Sequence, residues 1–170
     1  MKKIVIALML VCAYAFSANA QKYALIDMEY ILNNIPEYKK ANDQIDAKAK
    51  VWQGEIEAVM KQVDTMYKEY QKSKNLSAQE QSQREEAIMK KEKEAQELRQ
   101  KYFGQDGEMM KLRELLIKPI QDNIYEAVKA ISLEQGYKMV IDRASDQAII
   151  FASPDIDISD EVLQRLGYSK

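Results

Sequence analysis

The sequence predicts a mainly α-helical protein with a small β-sheet: a long antiparallel coiled-coil hairpin projecting from a β-rich, self-associating body. Three observations lead there. A strict seven-residue apolar repeat occupies the first half of the chain, charged residues form 31% of a sequence with only 5 Gly and 3 Pro, and the β-rich runs are confined to the two ends. A repeat of 3.5 residues per turn marks the narrow seam of a coiled coil, whereas the face of a globular helix is wider and follows 3.6.

Residues 1–20 read as a signal peptide. Lys2 and Lys3 precede an apolar run from Ile4 to Phe16, and Ala18-Asn19-Ala20 offers the small residues that a signal peptidase accepts, so cleavage after Ala20 and export are expected. The run would span only about 20 Å as a helix, short of the roughly 30 Å hydrocarbon core of a membrane. A lipoprotein signal at Cys12 fits less well, because β-branched Val11 stands where a small residue belongs.

The first mature segment, about residues 22–28, mixes β-branched and aromatic residues in a loose alternation that reads as a strand. Pro36 suits the first turn of a helix, where its missing N–H would have no partner anyway. The repeat then begins: Tyr38, Ile45, Trp52, Val59 and Met66 form one row, Ala49, Ile56, Val63 and Tyr70 a second, and Asn42 interrupts the latter. A helix of about 38 residues reaches roughly 57 Å, too long for a compact body of this size. It should stop at Asn75-Leu76-Ser77. Asn75 suits a left-handed terminal position, and Ser77 with Glu80 forms a capping box for the next helix. So short a link makes the two helices antiparallel. On the return, Ile88, Ala95, Tyr102, Met109 and Leu116 recur in sevens, with few apolar residues near the tip. Gly104, Gly107 and Pro119 read as points of flexure where the arm joins the body.

The arm is therefore assigned to residues 37–108, with its tip near 75–77, and the body to residues 21–36 with 109–170. Beyond Met109 the apolar spacing drifts from strict sevens, and Gly136 ends that helix. Two β-rich runs follow, about residues 137–142 and 148–152, which predict a hairpin. Pro154 breaks it. Ser159 starts a last helix, about residues 160–166, with Val162, Leu163 and Leu166 on its apolar side. A stranded core this small rarely stands without disulfides, metals or association. Association is the remaining route, with Ile26, Val140, Ile149, Ile150 and Phe151 as interface candidates.

Composition excludes most chemistry. The chain has no histidine, and its one cysteine, Cys12, lies in the leader. The usual zinc sites, Ser-His or Cys-His nucleophiles and disulfides are thus unavailable to the mature chain, and no cofactor is expected. The sequence contains no phosphate-loop motif. Asp155, Asp157, Asp160 and Glu161 cluster, but without the glycine and the twelve-residue spacing of a calcium loop; the start of a helix accounts for them. Removing Lys2 and Lys3 from 25 Lys+Arg leaves 23 basic residues against 27 acidic ones, a formal charge of −4 that disfavours nucleic acid. No enzymatic activity is expected.

The segment Ile26-Asp27-Met28-Glu29-Tyr30-Ile31-Leu32-Asn33, running into Pro36-Glu37-Tyr38-Lys39-Lys40-Ala41, resembles the opening of the Skp/OmpH periplasmic chaperones. Gly136-Tyr137-Lys138-Met139-Val140-Ile141-Asp142, followed by Ala152-Ser153-Pro154-Asp155-Ile156-Asp157-Ile158-Ser159-Asp160-Glu161-Val162-Leu163, resembles their closing hairpin and helix. The resemblance covers essentially the whole mature chain. It implies a homotrimer whose tentacles grip unfolded outer-membrane proteins in the periplasm without ATP. Well-known relatives are strongly basic and this mature chain is acidic, so lipopolysaccharide binding is not carried over; weak association with a membrane surface stays open. For client contact the arm offers Met60, Met66, Tyr67, Tyr70, Leu76, Met89 and Tyr102, of which Met66, Tyr70 and Tyr102 also fall on the heptad rows. The competing reading is a structural coiled-coil adaptor or spacer that binds one folded partner.

Overall fold

The computed structural model describes residues 22–145 and 149–168. The predicted leader with its cleavage site and Cys12 lies outside the described residues, as does Ala148, the first residue of the expected last strand. In chain order the elements are β1 (Lys22–Ile26), α1 (Met28–Asn33), α2 (Pro36–Lys72), α3 (Ala78–Phe103), α4 (Glu108–Gln135), β2 (Tyr137–Asp142), a single 3-10 turn (Pro154–Ile156) and α5 (Ser159–Arg165). Contacts divide them into two units: one from the chain ends, up to residue 34 and from 124 onward, and one from residues 35–123. The division falls within α4 rather than at residue 109.

In the unit of the chain ends, β1 is the centre because its last three residues, Ala24, Leu25 and Ile26, are all buried. β2 pairs with it in parallel, Ala24 opposite Val140 and Ile26 opposite Asp142. On the other edge, the Ile158 N–H donates to the Leu25 carbonyl at 2.9 Å, next to a bridge between Leu25 and Asp157. The expected hairpin of residues 137–142 with 148–152 is therefore corrected. β2 takes the N-terminal strand as its partner, and the described residues 149–152 carry no strand. A parallel pair needs a long crossover, which the intervening helices supply.

The helices of this unit follow from their apolar spacing. Ile124, Ala127 and Ile131 of α4, three and four residues apart, form a buried stripe, and Gly136 ends the helix at φ +77°. α1 buries Ile31 and Leu32 and packs against α5, which buries Val162 and Leu163. Asp27 caps α1 by accepting the Tyr30 N–H at 2.8 Å. Ser159 does not cap α5 with its side chain; its hydroxyl instead accepts the Asp27 N–H at 2.8 Å, across the sheet junction.

A polar lattice closes the unit. The Asp142 carboxylate accepts the N–H groups of Met28 and Ala144 at 3.0 and 3.1 Å and the Ser145 hydroxyl. Burial alone would raise its pKa, but these hydrogen bonds prevail and hold it below the ordinary carboxylate value. Arg143 pairs with Asp27 at 3.1 Å and Asp157 at 3.3 Å, joining three distant stretches of chain.

In the second unit, Pro36 opens α2 as expected. Ile45, Ile56, Val59 and Val63 of the two heptad rows are buried. Asn75 takes the left-handed conformation at φ +63°, and Ser77 with Glu80 makes the full capping box. α3 returns antiparallel to α2, which the cross-links establish. Trp52 stacks on Tyr102 with centroids 5.1 Å apart, and nearer the turn the Arg84 guanidinium donates to the Ser73 hydroxyl at 3.2 Å. On α3 only Ile88, Ala95 and Tyr102 are buried, at strict heptad spacing.

The predicted return row does not continue through Met109 and Leu116. α3 ends at Phe103 and α4 begins at Glu108, so the register is interrupted by four residues. The glycines there serve close approach: a Cβ on Gly104 would lie 2.3 Å from the Gln100 carbonyl oxygen, and one on Gly107 would lie 2.9 Å from that of Tyr102. Pro119, expected to mark a flexure, sits inside α4. It cannot bond the carbonyl of Leu115, which lies on an exposed turn where water can serve instead.

Candidate functional site

The helical pair gathers three of its predicted contact residues on one side. Met60 and Tyr67 of α2 are seven residues apart and so share a face. The Tyr67 hydroxyl crosses to Glu92 of α3 at 3.1 Å, and Glu92 lies one turn beyond Met89. Met60, Tyr67 and Met89 therefore flank the seam on the same side, and they are 40–60% exposed. Tyr67 remains accessible despite its hydrogen bond. Met66 and Tyr70 are half-buried on the heptad rows, and Leu76 is half-buried in the turn.

Tyr102 is corrected as a contact residue. It is only 7% exposed, one face is covered by Trp52, and its hydroxyl donates to Glu55. The stacking uses the apolar ring within the pair and leaves no surface for a partner. Beside it, sequence reasoning missed Phe103, which is exposed and meets Trp52 edge-on at 6.3 Å. The signal was available: Phe103 lies two heptads beyond Met89 on the same helical face.

Electrostatics on the pair are built from phenols and carboxylates. Tyr67, Tyr70 and Tyr102 donate to Glu92, Glu85 and Glu55, and each accepting carboxylate raises the phenol's pKa above its ordinary value. Deprotonating the phenol would set two negative charges side by side. At the turn, hydrogen bonds from the Ser77 side chain and backbone lower the pKa of Glu80.

The chain-end unit distributes the predicted interface residues unevenly. Ile26 is corrected: it is buried within its own chain, where β1 is flanked by β2 on one edge and by the Leu25–Asp157 bridge on the other. Val140 and Ile149 are half-buried, while Ile150 and Phe151 are 98% and 84% exposed. A groove of about 380 Å³ runs between α4 and β2, lined by Met28, Tyr125, Val128, Leu133, Met139 and Val140 among others. Tyr125, Leu133 and Met139 are exposed there and were not anticipated. Their signal was weak: Tyr125 and Leu133 fall off the Ile124, Ala127, Ile131 stripe, so that only a fixed rotation of α4 makes them a surface, and the exposed side of Met139 depends on how β2 pairs.

Three of the four acidic residues near the last helix are engaged in structural bonds. Asp157 pairs with Arg143, Asp160 accepts the Tyr30 hydroxyl at 2.7 Å, and Glu161 accepts from Gln135. Among the described residues no group of His, Cys, Asp and Glu is arranged to hold a metal ion. The surfaces on offer are apolar and suited to contact.

A family model for outer membrane protein (OmpH-like) matches residues 22–166. The chaperone protein Skp of Yersinia enterocolitica is 27% identical over 169 residues, covering 98% of this chain and 99% of the relative. A solved structure of an OmpH-like outer membrane chaperone from Caulobacter crescentus CB15 has a TM-score of 0.64 at 14% identity, over 86% of this chain and 83% of that one. That likeness concerns the fold.

Proposed function

The chain belongs to the OmpH-like family, and from that premise we propose that it is a chaperone for outer-membrane proteins acting as an ATP-independent holdase in the periplasm. A leader cleaved after Ala20 delivers it there. Three copies associate through their chain-end units, and the helical pairs, as mobile arms, enclose an unfolded barrel protein. A barrel strand alternates apolar and polar side chains and aggregates through its open edges. Enclosure prevents the encounter between clients, so weak and adaptable contacts are sufficient.

One observation carries the reading: Met60, Tyr67 and Met89 are exposed together on one side of the helical pair, outside its buried rows. Methionine and tyrosine offer adaptable, amphipathic surface that accepts varied sequences. Met66, Tyr70 and Leu76 extend that surface toward the turn. Association is supported by the exposed Ile150 and Phe151 and by the apolar groove between α4 and β2. Isolated exposed apolar residues are ordinary, but a contiguous patch marks an interaction surface.

Sedimentation of the purified protein with and without a urea-unfolded outer-membrane barrel tests the proposal. The expected result is an associated species that takes up several unrelated barrels and suppresses their aggregation at near-stoichiometric amounts. A single-chain species that binds none of them overturns it. Binding of one folded partner only would favour an adaptor.

A further inference from the structure

We infer that Met60 and Met89 form an oxidation-sensitive pair, and that adding one oxygen to each sulfur weakens client capture on this side of the helical pair. The inference rests on the holdase function proposed above. Both side chains are open to solvent, Met60 at 44% and Met89 at 60% exposure. They flank Tyr67, because Met60 lies two turns before it on α2 and Met89 lies one turn before its hydrogen-bond partner Glu92 on α3. Two of the three side chains on this patch are therefore thioethers. From residue 22 onward the chain has neither cysteine nor histidine, so no thiol of its own intercepts an oxidant first.

The oxidant is a hydroperoxide or hypochlorous acid. With hydrogen peroxide, a sulfur lone pair attacks one peroxide oxygen, the O–O bond breaks and an S–O bond forms. The transferred oxygen gives up its proton to the departing hydroxide, which leaves as water. Sulfur loses two electrons and the peroxide gains them. With hypochlorous acid the sulfur takes up the chlorine as hydroxide leaves, and water then displaces chloride, so that the sulfoxide forms with net release of chloride and a proton. The sulfoxide is polar and chiral where the thioether was flexible and apolar, so it holds water that an apolar client side chain would have to displace. The helices are unaffected, because both residues lie outside the buried rows. Met66, beside Tyr67 but half-buried on the seam, provides an internal comparison.

The test treats the purified protein with hydrogen peroxide, follows each methionine peptide by mass spectrometry, and measures suppression of aggregation of a urea-unfolded barrel before and after. Met60 and Met89 are expected to oxidise on the order of fivefold faster than Met66. Treated protein should need roughly threefold more material for equal suppression. Treated M60L/M89L, which keeps the exposed Met110 and Met139, should suppress aggregation as well as the same variant does untreated, and untreated M60Q/M89Q should reproduce the loss. Equal oxidation rates at Met60, Met89 and Met66 overturn the accessibility argument. Equal losses in treated wild type and treated M60L/M89L overturn the switch. Untreated protein that suppresses nothing contradicts the holdase function itself, and the untreated arm alone reports that failure.

Discussion

The chain-end unit and the helical pair use the same kinds of residue to opposite ends. In the former, polar groups reach across the sequence: Asp142 to Met28, Asp27 to Ser159, and Arg143 to both Asp27 and Asp157. In the latter, most ion pairs are local i,i+3 or i,i+4 contacts on exposed surface, such as Lys39–Asp43 and Lys68–Asp64. Pairs of that kind contribute about 0.3–0.5 kcal/mol each. The helical pair thus depends on a thin apolar seam and a few phenol–carboxylate bonds. A surface meant for varied partners can be built on such an element, because few of its side chains are committed to the interior.

The largest expected effect comes from the core of the chain-end unit. Ile131 is fully buried, and Ile131→Ala should lower stability by about 2–5 kcal/mol, read as a large fall in the denaturant midpoint. Should the midpoint hardly move, the stripe on α4 is not a core.

Trp52→Ala removes the stack on Tyr102 and the edge contact with Phe103, and is expected to cost about 2–3 kcal/mol, since Trp52 is only half-buried. Amide exchange should rise mainly between residues 45 and 103. Equal acceleration in β1 and β2 would mean that the two regions are one cooperative unit.

Asp142→Asn is smaller, about 1–2 kcal/mol, because the carboxylate accepts several donors but is partly exposed. Its folded pKa is lowered. The contribution is therefore present above the unfolded carboxylate pKa of about 4 and is lost as pH falls through the folded value. Urea melts of wild type and variant should differ at neutral pH and converge in acid; a constant difference would assign the effect to shape instead of charge.

The least effect on stability is expected from Tyr67→Phe with Tyr70→Phe, which should speed amide exchange near the turn and leave the chain-end unit unchanged. In wild type these phenols have raised pKa values. Their bonds persist below the unfolded tyrosine pKa of about 10 and are lost as pH rises through the higher folded value. Phenolate absorbance should accordingly appear later in the folded protein than in urea, and a coincident titration would remove the bonds from the description.

Legibility in the sequence followed the range of the interaction. Pro36, the turn at Asn75 with the Ser77–Glu80 box, and the Gly136 stop are encoded within a few residues, and each was readable. The burial of Ile45, Ile56, Val59, Val63, Ile88 and Ala95 followed from the heptad repeat. Tyr102 stands both on a heptad row and among the contact candidates, and the Trp52 ring that covers it, which periodicity does not give, decides for the seam. Ser159 was read as a cap from its place before an acidic pair, while its hydroxyl is drawn to Asp27, 132 positions away.

From the sequence alone came the two long helices, their reversal and their capping, because propensity, period and turn chemistry act over one or two turns of chain. The tertiary structure alone decided that β2 joins β1 in parallel, that the return row ends at Tyr102, and that Met60, Tyr67 and Met89 share one open side. Those outcomes depend on which edge is buried, how closely a backbone approaches and how a helix is rotated. All three are set by distant parts of the chain packing together.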